Sequence, residues 1–299
     1  MSGYPKVVAV VGTNASGKSA LGVELAKRYG AEIISAESRP VFGGLDLGSG
    51  KITPEEMQGV PHHLIDVREP NEFFSMADFQ RMSYAAIDGI LARGRLPMIV
   101  GGTGLYVDSV LDGYLLSDRE PDLAYRAELE KLTTLQLYDM LLTLVPDAQV
   151  DRNNRNRVMR MIERIHDGDD AVPGKEPRYR SLRLGVSWPR EVLAQRIDER
   201  LKMRVEQGMI EEVQGLMDRG ATKEFLLGLG LEYRFITQYL TGAIPDRDEM
   251  LRLLAIAIKQ FAKRQMTWFR RNPDIVWLDM AGDPLGQACE AIDAFLREE

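Results

Sequence analysis

The sequence predicts an α/β fold: a parallel sheet with flanking helices, interrupted by an all-helical insertion. Three observations carry that expectation. The first third alternates short apolar runs with helical segments, a glycine-rich loop separates the first such run from the first helix, and the texture between about residues 114 and 180 turns wholly helical. Alternation of strand and helix over this length is the signature of parallel strands joined by crossover helices.

In chain order, KVVAVVG reads as the first strand and SALGVELAKRYG as the helix after the loop. EIISA is the next strand, SMADFQRMSYAAIDGILARG a helix, and PMIVGG a third strand. AYRAELEKLTTLQLYDMLLTLV and NRVMRMIERIHDG have the apolar period of packed helices and make up the insertion. HDGDDAVPGKEPRYR, dense in Gly, Pro and charge, reads as a mobile linker out of it. LRLGVSW is a further strand, REVLAQRIDERLKMRVEQG and MLRLLAIAIKQFAKRQMTWFRR are long helices, and IVWLD is a last strand before a final helix. The expected division is therefore residues 1–113 with 181–299 as the sheet domain and 114–180 as the insertion. Ligands in such sheets bind at the carboxyl ends of the strands. GTNASGKS, ESRPVF and GGTGLY each follow a strand, so they are expected to meet at one edge.

Composition narrows the class. A chain of 299 residues, 44% hydrophobic and 28% charged, suits one substantial core and a smaller second one. No apolar window is long enough to span a bilayer, and the N-terminus lacks a basic region followed by a cleavable apolar segment. A soluble, cytoplasmic monomer without membrane contact is expected. The single cysteine, Cys289, excludes an internal disulfide and any cysteine-based zinc site. A net charge of −7 argues against indiscriminate coating of nucleic acid, yet DRNNRNRVMRMIER, PRYRSLR and KQFAKRQMTWFRR are local basic clusters.

The chemistry begins at GTNASGKS, Gly12 to Ser19. Its spacing is that of the Walker A phosphate loop, so the sheet is expected to be P-loop NTPase-like. Backbone N–H groups turn inward around phosphate oxygens, Lys18 supplies a cation, Ser19 offers a hydroxyl to magnesium, and the following helix adds its positive end. The loop alone leaves open which phosphorylated ligand it holds; a kinase or NTPase is the first reading. Such enzymes place an acidic magnesium ligand at the end of a second strand, where this chain has Gly101, Gly102, Thr103 and Gly104. Glycines there admit a ligand close to the backbone, and Thr103 can offer its hydroxyl. The acidic candidate is Glu37, just after the second strand, as metal partner or general base.

Together these pieces resemble the tRNA dimethylallyltransferases, or tRNA isopentenyltransferases, of bacterial type. The resemblance runs nearly end to end: the phosphate loop, the carboxylate and serine at Glu37 and Ser38, PHHLID at Pro61 to Asp66, and FSMADF at Phe74 to Phe79. It continues through GGTGLY at Gly101 to Tyr106, NRVMRMIE at Asn156 to Glu163, the helix pattern Arg200, Gly208 and Glu212, and AKRQMTW at Ala262 to Trp268.

The resemblance implies transfer of a dimethylallyl group from its diphosphate to the exocyclic N6 amine of an adenosine beside the tRNA anticodon, with release of pyrophosphate. It implies that Gly12, Thr13, Asn14, Ala15, Ser16, Gly17, Lys18 and Ser19 cradle the diphosphate, with Mg2+ on Ser19. Glu37, Thr103 and Arg200 would be catalytic: the base, its companion at the adenine and phosphate, and a second clamp on the diphosphate. The anticodon stem-loop would meet Glu37, Ser38, Arg39, Pro40, Thr103, Arg126, Asn156, Arg157, Arg160, Tyr233, Arg234, Lys263, Arg264, Gln265 and Arg270.

The sequence departs from the family at the reaction centre. Glu37 replaces an aspartate, Pro40 stands where many members have glutamine, Phe42 where they have tyrosine, Asn14 replaces a loop threonine, and Arg204 sits where methionine is usual. Three alternatives stay open at this point: an adenylate isopentenyltransferase acting on a free nucleotide, a small-molecule kinase, and an RNA-binding protein without activity.

Overall fold

The computed structural model describes residues 3–116, 122–168 and 174–298. They form two compact units, Met1–Gly113 with Pro177–Glu299, and Tyr114–Glu176. The second ends at Glu176, and the chain re-enters the sheet almost at once, because the Arg180 N–H already donates to the Pro5 carbonyl at 3.0 Å. Residues 169–173, the middle of the stretch expected as a linker, lie outside the described residues.

The first unit is built on a six-stranded sheet. Its strands are β1 (Lys6–Val11), β2 (Ala31–Ser35), β3 (His62–His63), β4 (Leu96–Gly101), β5 (Arg180–Ser187) and β6 (Ile275–Asp279). They pair in parallel in the order β3-β2-β4-β1-β5-β6. The central strand shows why an unbroken apolar run belongs here. Val8 and Val10 enter the core on one face while Val7, Ala9 and Val11 enter the core on the other, so both faces of β1 are covered. Helices α1 (Lys18–Tyr29) and α13 (Pro284–Arg297) cover the first face; α3 (Met76–Ala92) and α4 (Gly104–Leu111) cover the second. A single turn, α2 (Pro54–Met57), precedes β3. Ser75 starts α3 with a capping box, its hydroxyl accepting from the Asp78 N–H while Asp78 reaches back to the Ser75 N–H.

Beyond the loop end of the sheet lies a helical layer: α8 (Arg190–Glu206), α9 (Met209–Asp218), α10 (Lys223–Leu229), α11 (Leu231–Leu240) and α12 (Arg247–Phe269). Ile197, Leu201, Val213, Tyr233, Ile236, Leu254 and Ile258 form its core together with Val41, Phe42 and Leu45 from the segment after β2. The short strand β3 and helices α9 to α11 were not expected from the sequence. β3 is two residues long, too short for a period to show.

The second unit is helical: α5 (Leu123–Glu130), α6 (Thr134–Leu144) and α7 (Arg155–His166) pack around Leu129, Leu137, Leu141, Val158 and Ile162. Arg155 donates to the carbonyls of Leu132, Glu130 and Leu129, satisfying the end of α5 that would otherwise face water with unpaired oxygens. Among the described residues no helix is long and apolar enough to cross a membrane.

Candidate active site

All strands run the same way, so the segments after β1, β2 and β4 emerge on one edge. There the Lys18 ammonium lies 2.9 Å from a Glu37 carboxylate oxygen, and the same oxygen accepts from the Gly102 N–H at 3.0 Å. Lys18 is 8% exposed and Glu37 30%, so the cation is sheltered and the carboxylate faces a cavity that opens to solvent. Close approach of the strand ends depends on Gly101, where a Cβ would stand 2.2 Å from the Ala36 carbonyl oxygen.

The phosphate loop is braced from outside. Trp188 Nε1 donates to the Ser16 carbonyl at 2.9 Å and Arg196 Nε to the Ala15 carbonyl at 3.0 Å, turning those oxygens away from the cavity. Ala15 holds a left-handed backbone with φ 56°, a conformation that costs a side-chain-bearing residue free energy and that such braces maintain. Gln265 on α12 ties the loop to its neighbour: its Oε1 accepts from the Asn14 N–H and its Nε2 donates to the Gly102 carbonyl, both at 2.9 Å.

Across the cavity stand Arg39, Arg200, Arg204 and Glu232. Burial holds the Arg200 guanidinium below its ordinary pKa, against the pull of Glu37 and Glu232. Burial, joined by the charge of Arg200, pushes Arg204 down to about 10. Glu212 on α9 accepts from the N–H groups of Asp46, Leu47 and Gly48, fixing the loop that brings Gly50 against these arginines. His62 also lines the cavity; its Nδ1 lies 2.8 Å from the Val60 carbonyl, and burial lowers its pKa.

Among the described residues no group of three or more His, Cys, Asp or Glu is placed to hold a metal ion. The side-chain oxygens lining the cavity near the loop are the exposed Ser19 hydroxyl, the Ser35 hydroxyl and the Glu37 carboxylate. That sparse set fits a hard cation that brings phosphate oxygens and water with it, as magnesium does, and does not fit a cation caged by protein alone.

The sequence profile of the IPP transferase family matches residues 40–272. The chain belongs to this family. It is 46% identical over 295 residues to tRNA dimethylallyltransferase 2 of Shewanella sediminis, covering 96% of this chain and 97% of that one. It is 42% identical over 285 residues to a tRNA dimethylallyltransferase of an Exiguobacterium species, covering 92% and 90%. Among solved structures, the full-length tRNA isopentenylpyrophosphate transferase of Bacillus halodurans superposes with a TM-score of 0.74 at 39% identity, over 97% of this chain and 95% of that one. A eukaryotic dimethylallyltransferase acting on tRNA superposes with a TM-score of 0.79 at 23% identity, a likeness of fold, over 98% of this chain and 79% of that one.

The residues expected from the family pattern fall into three groups. Asn14, Ala15, Lys18, Ser19, Glu37, Arg39, Pro40 and Arg200 line the same cavity. Asn156, Arg157, Lys263, Arg264 and Arg270 are exposed on their helices or helix ends, and Arg234 binds the Leu227 carbonyl at an exposed position. In the helical unit, Arg126 at 2.9 Å and Arg160 at 3.3 Å share the buried Glu163 carboxylate.

In the third group two expected RNA contacts, Tyr233 and Gln265, call for correction. Tyr233 has no exposed surface and its hydroxyl donates to Glu212 at 3.0 Å, so it is a core residue of the helical layer, with nothing presented to RNA. The amide of Gln265 is committed on both sides to backbone, which makes it a brace between two loops. Thr103 stands half-buried at the start of α4, directly after β4, with a hydroxyl that makes no capping bond. Trp188, Arg196 and Glu232 were not expected at the site. The spacing of Arg196, Arg200 and Arg204 every four residues was the available signal, since it places all three on one helix face.

Proposed function

We propose that this chain transfers a dimethylallyl group from dimethylallyl diphosphate to the N6 amine of an adenosine beside the anticodon of tRNA, releasing pyrophosphate. The observation that carries the reading is the meeting of the phosphate loop, the Glu37 carboxylate and Arg39, Arg200 and Arg204 in one cavity of a member of this family.

In the reaction the C1–O bond of the donor breaks as the N6–C1 bond forms, and the diphosphate leaves with the bonding pair. The amine is a poor nucleophile because its lone pair is delocalised into the ring. Glu37 takes its proton, held in place by Lys18 and the Gly102 N–H. Lys18, Arg200 and the loop N–H groups stabilise the charge that develops on the departing diphosphate, the term that contributes most in sites of this kind. Magnesium, when bound through Ser19 and the phosphate oxygens, adds Lewis-acid stabilisation of the same leaving group. The exposed Asn156 and Arg157 with the half-buried Arg160, and the exposed Lys263, Arg264 and Arg270, meet the phosphates and bases of the stem-loop, and the target adenine is flipped out to reach Glu37. The enzyme works as a monomer in the cytoplasm.

The test is nucleoside analysis of unmodified tRNA after incubation with the full chain, magnesium and dimethylallyl diphosphate, run beside free adenosine monophosphate. Prenylated adenosine is expected in tRNA, and Lys18→Ala should abolish it. Prenylation of the mononucleotide alone, or of neither acceptor, overturns the reading.

A further inference from the structure

Arg196, Arg200 and Arg204 recur every fourth residue of α8, so their side chains share a face and advance about 6 Å per step. Their contacts follow that ruler. Arg196 reaches the Ala15 carbonyl of the phosphate loop, Arg200 Nη2 lies 3.4 Å from the Gly50 carbonyl, and Arg204 Nη1 stands 3.9 Å from Glu232 Oε1. Arg200 and Arg204 then converge. A Cβ on Gly50, whose φ is +65°, would stand 1.6 Å from Arg204 Nη2 and 2.8 Å from Arg200 Nη2, so two guanidinium groups crowd one glycine.

Arg204 is the less satisfied of the two. Its side chain is 11% exposed, and among the described residues none accepts a hydrogen bond from it. Glu232, its nearest carboxylate, is shared with Arg39 at 3.7 Å, and both separations exceed hydrogen-bond length. A buried guanidinium with unused donors beside a second cation is unfavourable unless an anion joins them. Around the cavity, Lys18, Arg39, Arg200 and Arg204 face only Glu37 and Glu232 as carboxylates, which leaves an excess of positive charge suited to a ligand group with several negative charges. A phosphodiester, with one, would leave part of that excess unmatched.

Resting on the reading that this cavity takes dimethylallyl diphosphate, we infer that Arg204 is a second diphosphate clamp beside Arg200, and that it sets how tightly this chain holds its donor and the pyrophosphate it releases. The excess positive charge is matched when the diphosphate lies between the two guanidinium groups. Gly50 is the structural condition for it, since any side chain there would occupy the space of the Arg204 guanidinium.

Calorimetric titration of the full chain with inorganic pyrophosphate, with magnesium present, tests this without turnover. Arg204→Met should weaken binding about ten- to a hundredfold and raise the KM for dimethylallyl diphosphate in parallel, with the KM for tRNA unchanged. Arg204→Lys, which keeps the charge and loses the fork, should fall between. If the methionine variant is not stably folded, Arg204→Gln and Arg204→Lys give the same comparison. Wild-type binding with equal binding by the variants overturns the role of Arg204 and leaves the proposed reaction standing. So does a rise confined to the KM for tRNA, which would place Arg204 at the acceptor. Failure of the wild type to bind pyrophosphate at all overturns the reading of the cavity itself.

Discussion

Strand β2 has a glutamate near each end, and the two sit in opposite kinds of surroundings. Glu32, near the start, is 4% exposed and fully partnered: Arg93 binds both oxygens at 3.0 and 2.7 Å, a His63 ring nitrogen lies at 2.7 Å and Arg95 at 3.7 Å. The hydrogen bond from Arg93 leads in drawing its pKa down to about 2. Glu37, just past the other end, is 30% exposed, has one buried lysine and one N–H for partners, and shares its cavity with arginines that lack hydrogen-bonded anions. Buried charge that is fully paired specifies and holds a fold; buried charge left short of partners marks the place where a ligand supplies them. The first occurs within β2 and the second just beyond its carboxyl end, where parallel sheets bind ligands.

Removing the carboxylate at each end should separate the two roles. Glu37→Ala is expected to lower kcat for tRNA prenylation about 10²- to 10⁴-fold with little change in thermal unfolding, and Glu37→Asp should lie between it and the wild type. Full turnover by the alanine variant would remove Glu37 from the role of base.

A contrast of a different kind is with the cations of α7, where Arg157 is exposed to water and Arg160 is half-buried against Glu163 at 3.3 Å. Reversing charge at Arg157 and Arg160 together should weaken tRNA binding about tenfold or more at low salt and flatten its salt dependence, while pyrophosphate binding stays as it was. A salt series of tRNA affinities measures this, and an unchanged slope would place the RNA contact elsewhere.

The smallest effect on activity is expected at Glu32. Glu32→Gln should leave both KM values unaltered but lower stability by about 1.5–3 kcal/mol at neutral pH. Because its folded pKa is about 2 against an ordinary 4.5, the contribution is complete above about pH 4.5 and disappears as pH falls towards 2. Denaturant unfolding over that range should show the wild type losing stability more steeply than the variant.

Much of this was legible in the sequence because it rests on local rules. The apolar run before GTNASGKS, the glycines of GGTGLY and the helical period of NRVMRMIE each specify a local backbone, and β1, β4 and α7 lie where those patterns fall. Glu37 could be picked out because it directly follows a strand. What stayed hidden depends on contacts distant in sequence. Tyr233 looks like a surface aromatic beside Arg234 until Glu212 and the core around Ile236 enclose it. Gln265 sits among exposed lysine and arginine, and only the fold shows its amide turned inward to Asn14 and Gly102. Arg204 needed Gly50, more than 150 positions earlier, before its burial could be seen.

The Gln265 bridge also bears on the order in which the protein is made. The phosphate loop emerges within the first 19 residues, yet the side chain that ties it to the GGTG turn arrives some 250 residues later, and β5, which pairs with β1 along its whole length, follows the insertion. At a synthesis rate of about 5–20 residues per second, the nascent chain carries an unfinished site for tens of seconds. A product cut short before α12 lacks both the Gln265 brace and the Ile258 and Phe261 wall of the cavity, so truncation should yield a silent protein, with no partly competent enzyme able to bind donor and waste it.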